Sequence, residues 1–227
     1  MYNKQSLHLL QKALDVLSAG FNELPSYEED NTPGVEKVLL QVAEKTKNNF
    51  PYFHPLYAGQ MLKPPHEIAR LAYMLSMWIN PNNHALDGGR ASSEMEKEAV
   101  EEIAQLFGWS RHLGHLTSSG TFANLEALWV AGQMHPQKKI VASELAHYTH
   151  ERISGVLKLP FAKIACDTSG VMDIKKLEAQ LKKGNIGTVI VTMGTTGIGS
   201  VDPLPEIIAL QKKYTFRIHL DAAYGGY

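Results

Sequence analysis

The sequence predicts an α/β protein in which a mainly parallel sheet is flanked by helices, with a helical segment ahead of it. From His115 onward, short apolar runs alternate with stretches of helical periodicity, the pattern of repeated strand–helix–strand units. The run Val189-Ile190-Val191 has no polar alternation, which is typical of a strand covered on both faces. Small and hydroxyl residues follow these runs, so a ligand crevice is expected at the carboxyl edge of the sheet.

Helices separated by prolines are predicted in the first part of the chain. Thr32-Pro33 and Pro64-Pro65 each open a helix, because proline is favoured at the first helical position. Another helix is expected to begin at Ser93, which has capping-box spacing to Glu96, and to stop at Gly108. A stripe of leucines indicates an amphipathic helix at the N-terminus: Leu7, Leu10, Leu14 and Leu17.

Four apolar runs in the second part predict strands, at residues 139–142, 163–166, 188–193 and 216–220. The helix between the second and third strands is expected to be capped by Asp173 and ended by Gly184. Cys166 is the only cysteine, which precludes an internal disulfide, and we expect a buried strand thiol there rather than a nucleophile.

Charge and hydropathy argue against two classes of partner. Acidic and basic residues nearly balance, for a formal net charge of -1, and no basic stripe suits a nucleic-acid backbone. No apolar run approaches the length of a membrane span, and the N-terminus lacks the basic region and short apolar core of a signal peptide. We therefore expect a soluble cytoplasmic protein that binds neither nucleic acid nor a membrane.

Residues 117–124 (TSSGTFAN) form a small, hydroxyl-rich loop that runs into a helical pattern. Backbone N–H groups and hydroxyls at the positive end of a helix can bind a phosphate group. A plain capping loop would have a similar sequence, so that alternative stays open. The loop matches neither the P-loop nor the dinucleotide-binding pattern, and a phosphate bound here is expected to belong to another kind of cofactor.

Two further segments are expected at the same edge of the sheet. His147 lies between a predicted strand and a helix, where an imidazole can stack on a planar ring and exchange protons. A metal site at His147 and His150 has no apparent third ligand and is not expected, and His150 is interpreted as a surface histidine. The glycine-rich segment 192–200 ends a strand, and Thr195 or Thr196 can donate a hydrogen bond there.

Asp221 ends the last predicted strand and precedes the small-residue turn at 222–226. A carboxylate at the end of a buried strand is costly unless a cation meets it. A ligand with a protonated pyridine nitrogen would supply that cation. The alternative is that Asp221 only caps the next helix or starts a turn.

These segments resemble the group II pyridoxal-phosphate-dependent decarboxylases, the family of aromatic amino acid, tyrosine, glutamate and diaminobutyrate decarboxylases. The resemblance extends from about Phe53 to the end of the chain and is most specific at 117–124, 146–147, 194–196 and 219–226. It implies a fold type I large domain, pyridoxal 5'-phosphate as cofactor, decarboxylation of an L-amino acid, and a homodimer.

The resemblance also implies roles for individual residues. His147 and Asp221 are the catalytic candidates, since His147 would stack on the pyridine ring and Asp221 would pair with its protonated nitrogen. Gly120 and Thr121 would hold the cofactor phosphate, and Ala223 would pack against the ring. The full cofactor-binding set implied in this way is Ser119, Gly120, Thr121, His147, Thr196, Asp221 and Ala223.

The resemblance further implies that residues 1–85 form a helical segment with a dimer arm and a substrate entrance at His54 and Tyr57, and that residues 86–227 begin the cofactor-binding domain. The family's Schiff-base lysine follows a histidine beyond the Asp-Ala-Ala-Tyr strand and is not in this sequence. We therefore expect an N-terminal part of a longer enzyme, inactive alone, without the rest of the large domain and the small domain. An aminotransferase, an aldehyde lyase and a non-catalytic truncated subunit are the alternatives.

Overall fold

The computed structural model describes residues 4–25, 33–59 and 64–226. The chain divides into two units, Met1–Ile103 and Ala104–Tyr227. The domain boundary expected after residue 85 stays a prediction. Thr32, expected to help open a helix, and Tyr227 lie outside the described residues. Within the described parts of the chain, no helix is both long enough and apolar enough to cross a membrane.

The first unit is built from helices, as predicted: α1 (Lys4–Ala19), α2 (Val35–Thr46), α3 (Glu67–Ser76) and most of α4 (Arg90–Leu106). α1 packs on α3, where the buried hydroxyl of Ser6 donates a hydrogen bond to Glu67. In the leucine stripe of α1, Leu10, Leu14 and Leu17 are half-buried. Leu7 is exposed, so the amphipathic helix is confirmed except at its first leucine.

The predicted start of α4 at Ser93 is wrong. The helix begins at Arg90, and the backbone N–H of Ser93 already donates to the carbonyl of Gly89 at 2.8 Å. A residue whose own N–H takes part in the helix does not act as its N-cap, and the Ser93 side chain is buried instead. The predicted stop is confirmed, because Gly108 has a φ of 70° and donates its N–H to Gln105.

The second unit contains a four-stranded sheet in which all neighbouring strands are parallel, in the order β2-β1-β3-β4. All four strands lie within two residues of their predicted bounds. The elements in chain order are α5 (Gly120–Met134), β1 (Lys139–Ser143), α6 (Thr149–Val156), β2 (Phe161–Ile164), α7 (Ile174–Leu181), β3 (Ile186–Thr192), α8 (Leu204–Gln211) and β4 (Arg217–Asp221).

Cys166 is not a buried strand thiol, contrary to the prediction. β2 ends at Ile164, and Cys166 lies beyond it as a half-buried free cysteine. The chain leaves the sheet here because the backbone N–H of Cys166 donates to the carboxylate of Glu144 at 2.8 Å instead of to a neighbouring strand. The capping prediction nearby is confirmed, since Asp173 accepts hydrogen bonds from the first turn of α7 and Gly184 follows that helix with a φ of 71°.

Helices cover both faces of the sheet, which gives three layers. On one face, Val189 and Val191 of β3 pack in a core with Leu177 of α7 and Ile207 of α8. On the other face, β3 and the helices α5 and α6 contribute to a second core. Successive side chains of a strand point to opposite faces, and both faces of β3 are covered. The strand is therefore buried along its whole length, as its sequence predicts.

The last strand, β4, differs because one of its faces is polar. Arg217, His219 and Asp221 alternate along the strand, and all three make hydrogen bonds on the same side of the sheet. Arg217 donates to the carbonyl of Ala127 in α5 at 3.2 Å, and His219 bonds Asn124 of the same helix. The face of β4 that α5 covers is therefore a line of polar groups that ends at the carboxyl edge of the sheet.

Candidate active site

A cavity of about 230 Å³ lies at the carboxyl edge of the sheet, within the second unit. Its walls come from the N-terminus of α5, the loop after β1, and the turns after β3 and β4, which is where the sequence predicts a crevice. All seven residues of the predicted cofactor-binding set line it, although their roles stay predictions. The lining residues are Ser119, Gly120, Thr121, Asn124, His147, Thr149, Thr192, Gly194, Thr196, Asp221, Ala223 and Tyr224.

The N-terminus of α5 supplies hydrogen-bond donors to one end of the cavity. Ser119 is the N-cap, with extended backbone, and its hydroxyl accepts the N–H of Phe122 at 3.4 Å. The N–H groups of Gly120 and Thr121 belong to the first turn, where a helix has no internal acceptor. A Cβ added to Gly120 would lie 3.6 Å from the Cβ of Ala223, so this turn comes close to the turn after β4. A helix start with free N–H groups of this kind suits an anion, and its assignment to a phosphate group stays a prediction.

Asp221 is held ionised at the floor of the cavity. Its side chain is only 9% exposed, and its Oδ2 lies 2.8 Å from Nε2 of His150. The backbone N–H of Ala223 donates to Oδ1 at 3.2 Å, and the amide of Asn124 donates to Oδ2 at 3.4 Å. Burial alone would raise the pKa of Asp221, but the hydrogen bonds that its carboxylate accepts from His150 and Ala223 lower it to about 2.

Asn124 connects Asp221 to a second histidine. Its carbonyl oxygen lies 2.7 Å from Nε2 of His219, while its amide nitrogen donates to Asp221. Because a carbonyl oxygen can only accept, Nε2 of His219 carries the proton. Burial lowers the pKa of His219 to about 4, against the opposing effect of the negative charge of Asp221. His219 is therefore a neutral donor at physiological pH.

His150 is not a surface histidine, contrary to the prediction. It is fully buried in α6, and no feature of the sequence pairs it with Asp221. Sequence reasoning likewise assigned no role to Asn124 or His219. A signal for both was present, since Asn124 is one helical turn after Gly120 and His219 is two strand positions before Asp221, which places each on the cavity side.

His147 is half-buried, and its ring is held by the start of α6. The backbone N–H of Thr149 donates to Nδ1 at 3.3 Å, and the Thr149 hydroxyl lies 2.5 Å from the same nitrogen. Because a backbone N–H can only donate, Nδ1 is an acceptor and the neutral ring carries its proton on Nε2. The structure thus fixes both the orientation and the tautomer of the imidazole that the sequence places at this edge.

The structure distinguishes the two threonines in the turn after β3, either of which could donate a hydrogen bond according to the sequence. Thr195 is buried, and its hydroxyl accepts the N–H of Ser200 at 3.0 Å, so it stabilises the turn. Thr196 is the one that lines the cavity. Gly194 has a φ of 103°, and a Cβ there would lie 2.6 Å from the ring of Tyr224. The turns after β3 and β4 are therefore packed against each other.

His54 and Tyr57 both belong to the first unit, whereas the lining residues named above belong to the second. Nδ1 of His54 accepts the N–H of Leu56 at 3.1 Å, and the ring of Tyr57 packs on that of Tyr52 with a centroid distance of 4.9 Å. Their assignment to a substrate entrance stays a prediction.

Comparison with known proteins gives one family. A family model described as "Pyridoxal-dependent decarboxylase conserved domain" matches residues 38–227. The L-aspartate/L-glutamate decarboxylase of Pyrococcus horikoshii is 30% identical over 196 residues, which cover 85% of this chain and 50% of the relative. The L-tyrosine decarboxylase of Enterococcus faecium is 29% identical over 94% of this chain and 47% of the relative. The chain thus spans about half the length of the curated relatives it matches.

Solved structures share the fold. The crystal structure of mouse CSAD in the apo form superposes with a TM-score of 0.78 at 22% identity, over 100% of this chain and 49% of that one. The crystal structure of Oryza sativa TDC with PLP and tryptamine superposes with a TM-score of 0.76 at 16% identity, over 99% of this chain and 58% of that one. The expected fold type I architecture, with a parallel sheet between helices, is confirmed.

Proposed function

The chain belongs to the family of pyridoxal-dependent decarboxylases, and on this basis we propose that the full-length protein converts an L-amino acid to an amine and carbon dioxide with pyridoxal 5'-phosphate as cofactor. The observation that carries the proposal is the carboxylate of Asp221. It lines the cavity, is nearly buried, and is kept ionised by donors behind it. A cationic ligand atom on the cavity side of this carboxylate would compensate its buried negative charge.

The residues present fit this cofactor. The N–H groups at the start of α5 suit a phosphate group, and Asp221 suits a protonated ring nitrogen. The hydroxyl of Thr192 is buried at the cavity wall and has no hydrogen-bond partner among the described residues. A polar ligand would provide that partner, because a buried hydroxyl without one is costly.

Each part of the site has a distinct task in the proposed reaction. Pyridoxal phosphate, when bound, supplies a protonated ring that accepts electrons as the carboxyl group leaves. Gly120 and Thr121 bind the phosphate and fix the ring's position. Asp221 keeps the proton on the ring nitrogen through its negative charge. His147 covers the ring with its imidazole, and its Nε2–H is the proton donor that it can offer in the cavity.

For the substrate we propose a class of compound, and for the cellular location and the oligomeric state we keep the expectations of the sequence analysis. The relatives named above are decarboxylases of aspartate, glutamate and tyrosine, and we propose an L-amino acid of this kind for the full-length protein. We also retain the homodimer and the cytoplasmic location predicted from the sequence. The proposed substrate entrance at His54 and Tyr57 belongs to the same set of predictions.

The proposal is tested with the full-length protein. We expect it to bind pyridoxal 5'-phosphate and to bind pyridoxal, which lacks the phosphate, far more weakly. Loaded protein is then incubated with aspartate, glutamate, tyrosine and diaminobutyrate, and carbon dioxide, amine, keto acid and aldehyde are measured. Carbon dioxide and an amine in equal amounts support the decarboxylase. A keto acid would indicate an aminotransferase and an aldehyde a lyase, and absence of cofactor binding would refute the proposal.

Replacing His147 by Ala is expected to weaken pyridoxal phosphate binding up to about tenfold, because the ring loses a stacking partner worth up to about 1.5 kcal/mol. Decarboxylation should also slow. The matched variant His147→Phe keeps an aromatic face but has no N–H, so it should bind the cofactor within a few-fold of the unmodified protein and still react slowly. Equal dissociation constants for all three proteins, measured by titration of the cofactor absorbance, would make His147 a structural residue.

A further inference from the structure

A buried imidazole lies behind the carboxylate of Asp221, outside the set of residues that line the cavity. His150 is fully buried on α6, and its Nε2 is 2.8 Å from Oδ2 of Asp221. Other groups that face this pair are Asn124, whose amide donates to the same oxygen, Ala223, whose backbone N–H donates to Oδ1, and His219, whose ring centroid is 6.1 Å from that of His150.

The surroundings of His150 indicate where its proton lies. Nδ1 is buried and has no hydrogen-bond partner in the part of the chain that the structure describes. An imidazolium would leave an N–H at this nitrogen unpaired and charged, whereas a neutral ring with its proton on Nε2 leaves only a lone pair unpaired. The unpaired lone pair is the smaller cost. His150 therefore suits the role of a neutral donor to Asp221 once a cation occupies the other side of the carboxylate.

We infer that His150 is a positioning residue for the cofactor ring: its Nε2–H bonds Oδ2 of Asp221, so that the shared proton rests on the ring nitrogen. This inference depends on the proposed function. Asp221 and a pyridine nitrogen compete for one proton, and the group with the higher pKa holds it. A hydrogen bond to the ionised carboxylate makes Asp221 the weaker base. The same bond also fixes the side chain of Asp221, because Oδ1 accepts from Ala223 while Oδ2 is held from behind.

The test uses three variants of the full-length protein. In His150→Leu the donor is lost and the volume is largely kept. In His150→Gln the amide nitrogen can reach the position of Nε2 and restore a donor that does not titrate. Ser154→Ala is the matched control, since Ser154 is as buried as His150, lies one turn further along α6, and has no hydrogen-bond partner among the described residues. Thermal unfolding of each variant reports whether it is folded.

Two measurements are made besides activity. The first is the dissociation constant of pyridoxal phosphate, and the second is the ¹⁵N chemical shift of the ring nitrogen in labelled, bound cofactor. We expect His150→Leu to bind about tenfold more weakly, the effect of one hydrogen bond to a charged group, and to move the ring nitrogen toward its unprotonated shift. His150→Gln should restore both values, and Ser154→Ala should change neither.

The possible outcomes separate the inference from the proposed function. If the unmodified protein binds no pyridoxal phosphate, the proposed function fails and the inference fails with it. If it binds and the ring nitrogen stays protonated in His150→Leu, only the inference is overturned. A His150 ring that carries two protons in the loaded protein, measured by ¹⁵N NMR, would also overturn it, as would a His150→Gln variant that behaves like His150→Leu.

Discussion

Replacing Asp221 by Asn in the full-length protein is expected to lower the rate of decarboxylation about 100- to 4,000-fold while cofactor binding stays measurable. Removing one partner of a buried ion pair costs about 3–5 kcal/mol, and each 1.4 kcal/mol is a factor of ten. An amide has nearly the shape of a carboxylate but no charge to hold a proton on the ring nitrogen. The proposed phosphate site at Gly120 and Thr121 is unchanged in this variant, so the cofactor should still bind.

A second buried carboxylate provides the control. Asp202 is 2% exposed, and its two oxygens accept the backbone N–H groups of Met172 and Thr192 at 3.1 and 2.9 Å. It does not belong to the lining residues of the cavity. Asp202→Asn replaces one acceptor by an NH₂ group that faces an N–H, which should cost about 1–3 kcal/mol of stability. We expect this variant to unfold earlier but to turn over substrate within a few-fold of the unmodified protein.

The comparison of the two variants decides the role of Asp221. If Asp221→Asn retains turnover within a few-fold of the unmodified protein, its charge does not act on the cofactor ring. If both variants lose activity to the same extent, the loss reflects a buried carboxylate in general. Only a large rate effect at Asp221 together with a stability effect at Asp202 supports the assignment.

The sheet could be predicted from local sequence because parallel strands buried on both faces leave a simple signature. Val189-Ile190-Val191 is such a run, and β3 was found within two residues of its predicted bounds. The cavity wall at the start of α5 could be predicted in the same way, because Ser119 and Gly120 are neighbours in the sequence as well as in space. Features of this kind depend on neighbours a few residues apart, which a single sequence contains.

The polar network behind Asp221 could not be predicted in the same way. His150, Asn124 and His219 come from α6, α5 and β4. His150 and Asp221 are 71 positions apart in the sequence, and no sequence pattern pairs them. A histidine near the start of a helix is usually exposed, and only the packing of α6 on the sheet buries it. Ser93 was misassigned for a related reason, because capping-box spacing does not reveal that the preceding residues are already helical.

The network also explains how one carboxylate stays ionised in a buried place. Each oxygen of Asp221 has at least one donor from the chain, and His219 fixes Asn124 so that its amide points to the carboxylate. A neutral His219 with its proton on Nε2 already supplies the donor to Asn124, and its low pKa keeps His219 in that form at neutral pH. The hydrogen-bond network therefore contains a neutral His219. Because the folded protein resists protonation of His219, the stability of the fold depends on pH.

The unmodified protein is expected to lose up to about 3 kcal/mol of stability between pH 6.5 and pH 4 because of His219, and His219→Gln is expected to abolish this loss. In the folded protein burial, assisted by the positive charge of Arg217, lowers the pKa of His219 to about 4 from an ordinary value of 6.5. As the pH falls through 6.5, the unfolded chain takes up a proton that the folded chain refuses, so stability declines until about pH 4. Each pH unit in this window is worth about 1.4 kcal/mol.

Glutamine isolates this effect because its amide nitrogen can replace the Nε2–H donor to Asn124 but takes up no proton in this range. We would measure urea unfolding of the full-length protein and of His219→Gln at pH 7, 5.5 and 4, with the exposed His8→Gln as control. The two curves of stability against pH should agree within about 1 kcal/mol at pH 7 and diverge below 6.5, with the variant the more stable at pH 4, and His8→Gln should follow the unmodified protein. Parallel curves for the unmodified protein and His219→Gln would mean that His219 takes up its proton in the folded state, and the neutral donor to Asn124 would then have to be abandoned.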